Sequence, residues 1–276
     1  METILLTDFN TFHLVGYIAA ILIGVSLGLV GGGGSILTVP VLVYLIGINP
    51  VISTSYSLFV VGLTSLVGAA TYMKRKLINY RTAIVFAIPS FISVFLTRKF
   101  LVPAIPQIIY ENDSIIIHKE HFIMVLFALL MTTASYAMIR QKPLHGEGIP
   151  NPKLISYRFI WALGTILGIF TGTVGAGGGF LIIPALILFA GLEMKTAIGT
   201  SLLIIAINSL IGFTGDISSH HIDWVFLGGF SALAIGGILT GTYVSTFVPG
   251  QTLKPAFGWF VLLMGCGIIA KEMLQF

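Results

Sequence analysis

The chain has 276 residues, of which 56% are hydrophobic and only 9% are charged. A soluble domain carries roughly 25% charged residues, so this composition excludes a soluble fold. The formal net charge of +4 is a small cationic excess and gives no reason to expect a nucleic-acid partner. The only cysteine, Cys266, lies in an apolar stretch, which excludes disulfide bonds and cysteine-based metal sites. We therefore expect an all-α polytopic membrane protein that lies in the lipid bilayer without a metal or a cofactor.

Apolar segments follow one another along the whole chain, and each is a candidate membrane helix. The first half has five, at residues 12–30, 35–47, 51–73, 81–101 and 121–140. The second half also has five, at residues 156–174, 179–191, 196–214, 222–247 and 254–274. The second segment of each half has about 13 residues, too few to cross a hydrocarbon core of about 30 Å. The sequence therefore predicts about eight to ten membrane segments, two of them half-length or broken by glycine.

A long register of matching residues relates the two halves. Pro40 and Pro184 are 144 residues apart, and the same spacing holds for glycine, serine and turn residues. The spacing pairs Gly24 with Gly168, Gly28 with Gly172, Gly47 with Gly191, Ser57 with Ser201, Ser65 with Ser209, and Ile78-Asn79-Tyr80 with Ile222-Asp223-Trp224. Such a register without gaps is not expected by chance, so we infer an internal duplication into two tandem repeats.

The short second segments leave two membrane topologies open. If they cross the bilayer, each half has five crossings and the repeats are inverted, whereas re-entrant segments give four crossings and parallel repeats. Basic residues cluster after the third segment and in the central linker: Lys74, Arg75, Lys76 and Arg81, then Arg140, Lys142, Lys153 and Arg158. The loop at residues 215–223 has neither Lys nor Arg. Because basic loops stay in the cytoplasm, this pattern favours inverted repeats with both termini outside. Arg98 and Lys99, at the outer end of the fourth segment, do not fit it.

These observations divide the chain into a first repeat at residues 1–140, a cytoplasmic linker at residues 141–153 and a second repeat at residues 154–276. The linker is rich in Pro and Gly, which is typical of a connection. Residues 108–120 are an insertion that the second half lacks. For this insertion we expect a loop or a short surface helix.

Two glycine-rich stretches occupy matching positions in the two halves. They are Gly31, Gly32, Gly33 and Gly34 followed by Ser35, and Gly175, Ala176, Gly177, Gly178 and Gly179. Consecutive glycines interrupt a helix, and within lipid the exposed backbone needs cover from protein or a water-filled cavity. The N-terminus of the helix that follows favours an anion, and secondary transporters place broken helices at the repeat interface. The alternative is close helix packing, which small residues also permit.

Hydroxyl-bearing residues open the third segment of each half. They are Ser53, Thr54, Ser55, Tyr56 and Ser57, with Thr200 and Ser201 in the second half. Their hydroxyls can donate to an oxyanion, or they can cap the helix and bond back to its carbonyls. Asn208 lies further along the second of these segments and either bridges two helices or faces the transport pathway.

Ionisable residues are scarce in the predicted spans, and no Asp or Glu lies at mid-span. Arg98 and Lys99 could attract an anion, but we expect them to extend towards the lipid headgroups. Asp216 lies in a predicted loop with two histidines, where a solvated turn is a simpler interpretation than a metal site. The sequence contains no serine-protease or metalloprotease pattern, so we do not expect an enzyme.

The glycine patterns resemble those of the sulfite exporter TauE/SafE family of membrane permeases. The resemblance covers nearly the whole chain and rests on three motifs: Gly28-x-x-Gly-Gly-Gly-Gly with Pro40, Gly172-x-x-Gly-x-Gly-Gly-Gly with Pro184, and Gly199-Thr200-Ser201-Leu202. The first half departs from the last motif with Ser55-Tyr56-Ser57-Leu58, and the insertion is a further departure. The resemblance implies a multi-pass protein of the cell inner (cytoplasmic) membrane that moves sulfite, thiosulfate or organosulfonates.

The sequence thus predicts a secondary transporter that binds a small inorganic or organic sulfur anion between the two glycine breaks and works by alternating access. The predicted binding residues are Gly31, Gly32, Gly33, Gly34, Ser35, Ser55, Tyr56, Ser57, Gly175, Gly177, Gly178, Gly179, Thr200, Ser201 and Asn208. A homo-oligomer is compatible with this prediction. The alternatives are an anion channel and a membrane assembly partner that transports nothing.

Overall fold

A computed structural model describes residues 2–112, 115–140, 157–175, 177–217 and 222–274. The first half contains α1 (Glu2–Val30), α2 (Gly33–Pro40), a first π-helical segment (Val41–Leu45), α3 (Pro50–Lys74), α4 (Tyr80–Leu96), a second π-helical segment (Thr97–Leu101), α5 (Val102–Ala104) and α6 (Lys119–Arg140). The second half contains α7 (Tyr157–Val174), α8 (Gly179–Phe189), α9 (Met194–Asp216), α10 (Trp224–Val244) and α11 (Gly250–Met273). Every predicted apolar segment is therefore helical. The predicted linker at residues 141–153 lies outside the described residues.

Several of these helices have the length and composition of membrane spans. Among the described residues, four are long and apolar enough to cross a bilayer: Pro50–Lys74, Tyr80–Ala104, Met194–Asp216 and Trp224–Val244. Shorter apolar helices cover Val15–Val30, Gly33–Leu45 and Phe159–Val174. The chain is an all-α polytopic membrane protein, as predicted.

The insertion at residues 108–120 differs from the expected loop or surface helix. Strands β1 (Ile108–Asn112) and β2 (Ile115–His118) pair as an antiparallel hairpin. The run of three isoleucines in β2 explains this, because β-branched residues favour strands. The backbone N–H of Lys119 donates to the Gln107 carbonyl (2.9 Å), which joins the base of the hairpin to the start of α6.

The two short apolar helices turn back from the glycine breaks along the helices that precede them. Position 16 of α1 lies against Ile46, just beyond the first π-helical segment. In the second half, the ring of Phe189 at the end of α8 lies 5.3 Å from that of Phe159 at the start of α7. Gly31 and Gly175 have φ values of +76° and +73°, a conformation that glycine adopts without a Cβ penalty. These two glycines therefore end α1 and α7 and allow the chain to reverse.

Helices of the two halves pack against one another in pairs. α1 packs on α10 and α7 packs on α4, whereas α3 packs on α9 and α6 packs on α11. Backbones touch where α1 crosses α10, because a Cβ at Gly28 would lie 2.6 Å from the Ile238 carbonyl oxygen. The other contact glycines are Gly24, Gly237 and Gly241 at this crossing, and Gly164, Gly168 and Gly172 between α7 and α4. Small residues at i and i+4 allow this close approach in membranes.

Matching polar residues begin α4 and α10. The side chains of Asn79 and Asp223 each accept hydrogen bonds from backbone N–H groups in the first turn of their helix, which is ordinary N-capping. The N–H of Asn79 donates to Thr200 Oγ1 (3.0 Å), and the N–H of Asp223 donates to Tyr56 Oη (2.8 Å). Two of the predicted binding residues therefore hold the turn that precedes a helix of the other half.

Candidate functional site

The candidate site is built around Arg98, the largest of the fully buried side chains, which is 1% exposed. Arg98 Nη1 donates to Thr54 Oγ1 (3.0 Å) and forms an ion pair with Asp216 Oδ2 (3.1 Å). Ser55 Oγ donates to the same carboxylate oxygen (2.5 Å). The second π-helical segment, the start of α3 and the end of α9 therefore meet around one guanidinium.

The positions of Arg98 and Asp216 correct two expectations. Arg98 does not extend towards the lipid headgroups, and Asp216 does not lie in a solvated loop, since its residue is buried in the last turn of α9. Pairing supplies the physical reason, because a charge leaves water only when a partner compensates it. His220 and His221, which the sequence placed beside Asp216, lie outside the described residues.

Part of the Arg98 guanidinium has no partner. Its Nε and Nη2 atoms make no hydrogen bond to any described residue. Nη2 points at the second glycine break, because a Cβ at Gly175 would overlap it. An Nε–Nη2 edge donates two parallel hydrogen bonds, which matches the spacing of oxygens in a planar or tetrahedral oxyanion. Because buried donors without partners are destabilising, this edge is suited to a ligand.

A cavity of about 440 Å³ lies beside this pair. Two cationic and two acidic side chains line it: Arg98, Lys119, Asp216 and Glu120. The remaining lining is Asn49, Ser55 and Gln107 together with the apolar Val51, Ile52, Val102 and Pro103. Lys119 is buried, and its Nζ donates to the Val102 carbonyl (2.5 Å). The cavity therefore combines polar groups for orientation with apolar walls, the usual composition of a small-ligand site.

The two glycine breaks touch each other. A Cβ at Gly32 would lie 2.6 Å from the carbonyl carbon of Gly179, and one at Gly179 would lie 3.1 Å from Ser35 Oγ. This close approach is what the packing alternative expects, and it leaves no room for an anion between these two residues in this conformation. The prediction that the break amides bind an anion stays a prediction.

The other predicted glycines contact several helices. Gly31 lies against Ile198 and Ser201 of α9, and Gly34 lies against Ile23 of α1. Gly33 is buried as the first residue of α2. In the second break, Gly177 lies against Ser209, and Gly178 lies against Thr171. The second break therefore faces hydroxyls as well as Arg98.

The predicted hydroxyl residues take different roles. Ser35 donates to the Gly32 carbonyl (2.7 Å) and Ser201 donates to the Ile198 carbonyl (2.8 Å), which is the helix-local alternative. Ser55 instead donates to Asp216 at the cavity. Ser55 is therefore both a predicted binding residue and part of the cavity lining.

Buried polar atoms without partners lie along α3 and α9 and beside them. Within the described chain they include Ser57, Ser65 and Ser209 Oγ, Thr171 Oγ1 and Asn208 Oδ1. Asn208 also bridges two helices, since its Nδ2 donates to Ser90 Oγ of α4 (2.7 Å). Such atoms need water or a ligand as partner, so this interface is a candidate hydrophilic route through the described interior.

Sequence reasoning missed the Arg98–Asp216 pair. The two residues are 118 positions apart, so no local pattern connects them. The available signal was a single arginine inside an apolar segment that did not fit the distribution of basic loops.

Comparison with known proteins also indicates a membrane transporter. The profile of the family described as sulfite exporter TauE/SafE matches residues 17–268. A probable membrane transporter protein of Xylella fastidiosa (strain 9a5c) is 28% identical over 256 residues, covering 91% of this chain and 92% of the relative. The probable membrane transporter protein YunE of Bacillus subtilis (strain 168) is 24% identical over 280 residues, covering 95% and 100%. The probable membrane transporter protein MJ0441 of Methanocaldococcus jannaschii is 27% identical over 233 residues, covering 82% and 79%.

Proposed function

Because the chain belongs to the sulfite exporter TauE/SafE family, we propose that it is a secondary transporter of small sulfur-containing anions such as sulfite, thiosulfate or organosulfonates. The family and the names of its relatives support a membrane transporter rather than an enzyme. The observation that carries the choice of an anion is the free Nε–Nη2 edge of buried Arg98 beside the cavity. Two parallel N–H donors hold two oxygens of a sulfonate or sulfite group.

The residues around Arg98 assist this binding. Gly175 leaves room for Nη2 itself, because any side chain there would overlap the guanidinium. Asn49 lines the cavity and its amide can donate to a further oxygen of the anion, whereas the Ser55 hydroxyl donates to Asp216. The apolar wall of Val51 and Val102 accommodates the organic part of a sulfonate.

The rest of the proposed pathway follows the α3–α9 interface. Among the described residues, Ser57, Ser65 and Ser209 place buried hydroxyls without partners along this interface, with Ser209 against Gly177 of the second break. These hydroxyls can replace water around an anion without adding a charge to the interior. The predicted residues Thr200, Ser201 and Asn208 lie on the same helix, α9.

Alternating access requires that the pathway close at one end at a time, and the two ends differ in this conformation. The cavity lies at the Arg98 end, where α3 begins and α9 ends. At the opposite end, buried Tyr72 donates to the Gly28 carbonyl (3.2 Å) and contacts Ser245 Oγ (3.1 Å). Arg75 Nη1 donates to the Thr242 carbonyl (2.9 Å) at the same end. This conformation therefore fits a transporter that is open at the Arg98 end.

The helix pairs support our proposal that residues 1–140 and 154–276 are inverted repeats. The first helix of each half packs on the fourth helix of the other half, and the third helices pack together. A two-fold relation produces such exchanged pairs. α7 also runs parallel to α4, since Gly164 lies against Phe86 and Gly172 lies against Thr97. Because α2 runs back along α1, α3 runs in the direction of α1 and α4 runs against it. α7 is therefore antiparallel to α1, as inversion requires.

A transport assay in liposomes tests the function. We expect purified protein to accumulate labelled sulfite or an organosulfonate, with saturation and exchange that separate a carrier from a channel. Arg98→Gln should reduce uptake to background, and Arg98→Lys should retain little because an ammonium lacks the two-donor edge. Lys99→Gln, which removes the adjacent exposed cation, is the matched control and should keep uptake near wild type. Uptake by Arg98→Gln at the wild-type rate would contradict the proposed site.

A further inference from the structure

We propose that anion binding at Arg98 is linked to the uptake of one proton by Asp216, so that the proton is the coupling ion of transport. This inference rests on the proposed function. It follows from the charge balance of the cavity and from the way in which one guanidinium is shared.

The cavity is electrically balanced before a ligand enters. Arg98 and Lys119 contribute two positive charges, and Asp216 and Glu120 contribute two negative charges. An added monoanion leaves one negative charge without compensation in a site whose Arg98 and Asp216 side chains are only 1% and 7% exposed. Uncompensated buried charge is strongly unfavourable, so the site either rejects the anion or takes up a proton with it.

Geometry selects Asp216 as the group that takes up this proton. Its Oδ2 already occupies Nη1 of Arg98, and the anion occupies Nε and Nη2 of the same group. A guanidinium carries one positive charge, so it compensates only one of two negative groups that share it. Neighbouring like charges favour protonation of one of the two groups. The proton enters from water through the cavity and adds to the carboxylate, giving a carboxylic acid.

The other charged groups around the cavity are placed differently. Glu120, on α6, accepts from Asn49 Nδ2 (3.4 Å) and does not share the guanidinium. Lys119 donates to the Val102 carbonyl, and Lys99 contributes only its backbone where Gly215 packs. Thr54 and Ser55 of α3 supply neutral hydroxyls. His220 and His221 lie outside the described residues, so the experiment includes them as a control.

Coupling of this kind has an electrical consequence. A monoanion that travels with one proton carries no net charge, so a pH gradient drives its movement and the membrane potential does not. Proton uptake on binding also makes anion affinity rise as pH falls, by up to about tenfold per pH unit for one proton.

The test is a binding titration of the purified full chain with methanesulfonate, whose charge is constant between about pH 5 and 8. Calorimetry in two buffers of different ionisation enthalpy counts the protons. We expect uptake of about one proton and an apparent Kd that rises with pH in the wild type. Asp216→Asn should bind without pH dependence, Asp216→Glu should restore it, and Arg98→Gln should not bind. Correct insertion and a single oligomeric peak in gel filtration confirm that each variant is folded.

The outcomes separate this inference from the proposed function. Binding by the wild type that is independent of pH, with no proton taken up, would overturn the linkage and leave the anion site intact. No binding of methanesulfonate, sulfite or thiosulfate at any pH would contradict the proposed function itself. If His220→Gln/His221→Gln lost the pH dependence and Asp216→Asn kept it, the proton would belong to the histidines and the assignment to Asp216 would be wrong.

Discussion

Gly175 illustrates at the scale of one residue how a missing side chain keeps a charged group in place. Gly175 and Gly191 both have positive φ, +73° and +64°, so alanine at either position strains the backbone by about 1–2 kcal/mol. Only at Gly175 does a Cβ also overlap Arg98, whereas nothing lies within 4 Å of a Cβ at Gly191. We therefore expect Gly175→Ala to abolish anion binding and Gly191→Ala to keep it with a lower melting temperature.

Methanesulfonate titration and thermal unfolding of both variants measure these two effects separately. Equal binding by the two variants would show that the contact with Arg98 does not matter. Equal loss of binding would assign the effect to backbone strain rather than to the guanidinium.

The sequence could identify Gly175 but not its partner. A run of glycines indicates positive φ and a close approach of two backbones, and the break was predicted from such a run. The contact with Arg98 depends on the second π-helical segment, which adds a residue to one turn and turns the side chain towards α3 and α9. No residue pattern in Thr97–Leu101 predicts this π-helical turn.

At the scale of helices, the crossing of α1 and α10 requires glycine only on the face of α10 that meets α1. A Cβ at Gly237 would overlap the Ile21 carbonyl, whereas the adjacent Gly236 is exposed and has nothing within 4 Å. We expect Gly237→Leu to force the helices apart and lower the free energy of unfolding by about 1–3 kcal/mol or more. Gly236→Leu should be tolerated. Thermal unfolding in detergent measures both, and a stable Gly237→Leu protein with normal uptake would contradict this packing.

A second prediction concerns Glu272, which joins α11 to two elements of the first half. Buried Glu272 accepts hydrogen bonds from Tyr44 Oη (2.6 Å) and pairs with His121 Nδ1 (2.7 Å). Glu272→Ala removes the acceptor of both contacts, and we expect a loss of about 1–3 kcal/mol in unfolding free energy. The adjacent exposed Lys271→Gln is the control, with a smaller loss from its contact with the Tyr44 ring. Chemical denaturation compares the two, and equal losses would show that Glu272 does not hold these elements together.

Element positions were largely predictable because hydropathy and glycine mark them directly. The helices lie at the ten predicted segments, and Gly31 and Gly175 end α1 and α7 as the glycine stretches indicated. The hairpin at Ile108–His118 was not predicted, since a short apolar run fits a strand or a helix equally well. Glu272 was not predicted as a buried group because its partners come from distant segments.

At the scale of the whole molecule, the basic loops predict an orientation that labelling can measure. The sequence has one cysteine, so Cys266→Ser gives a background without thiols. Lys76 is exposed just after the C-terminus of α3, and His118 is exposed just before the N-terminus of α6. We expect Lys76→Cys to react with an impermeant maleimide only in inside-out vesicles, and His118→Cys only in intact cells or spheroplasts. Labelling of both from one side would show that α4 does not cross the membrane and would contradict this orientation.

The misfit of Arg98 in the orientation analysis has a physical explanation. Arg98 is paired with Asp216 inside the protein, so it is not a free charge at the membrane surface. Counting loop charges alone could not distinguish a surface arginine from a buried one. Exposed Lys99 still does not fit this orientation, whereas Lys74, Arg75 and Lys76 favour a cytoplasmic Tyr72 end and an external Arg98 end.

The contact between Gly32 and Gly179 also bears on how such a molecule could move. Elsewhere in the interior, leucines and phenylalanines interlock, and a displacement must lift them past one another. At this contact two backbones meet with only Ile183, Ile205 and Ser35 beside them, so we expect α2 and α8 to shift past one another more easily than the larger helices around them. The contact between Gly32 and Gly179 is therefore the place where we expect the two halves to move relative to each other.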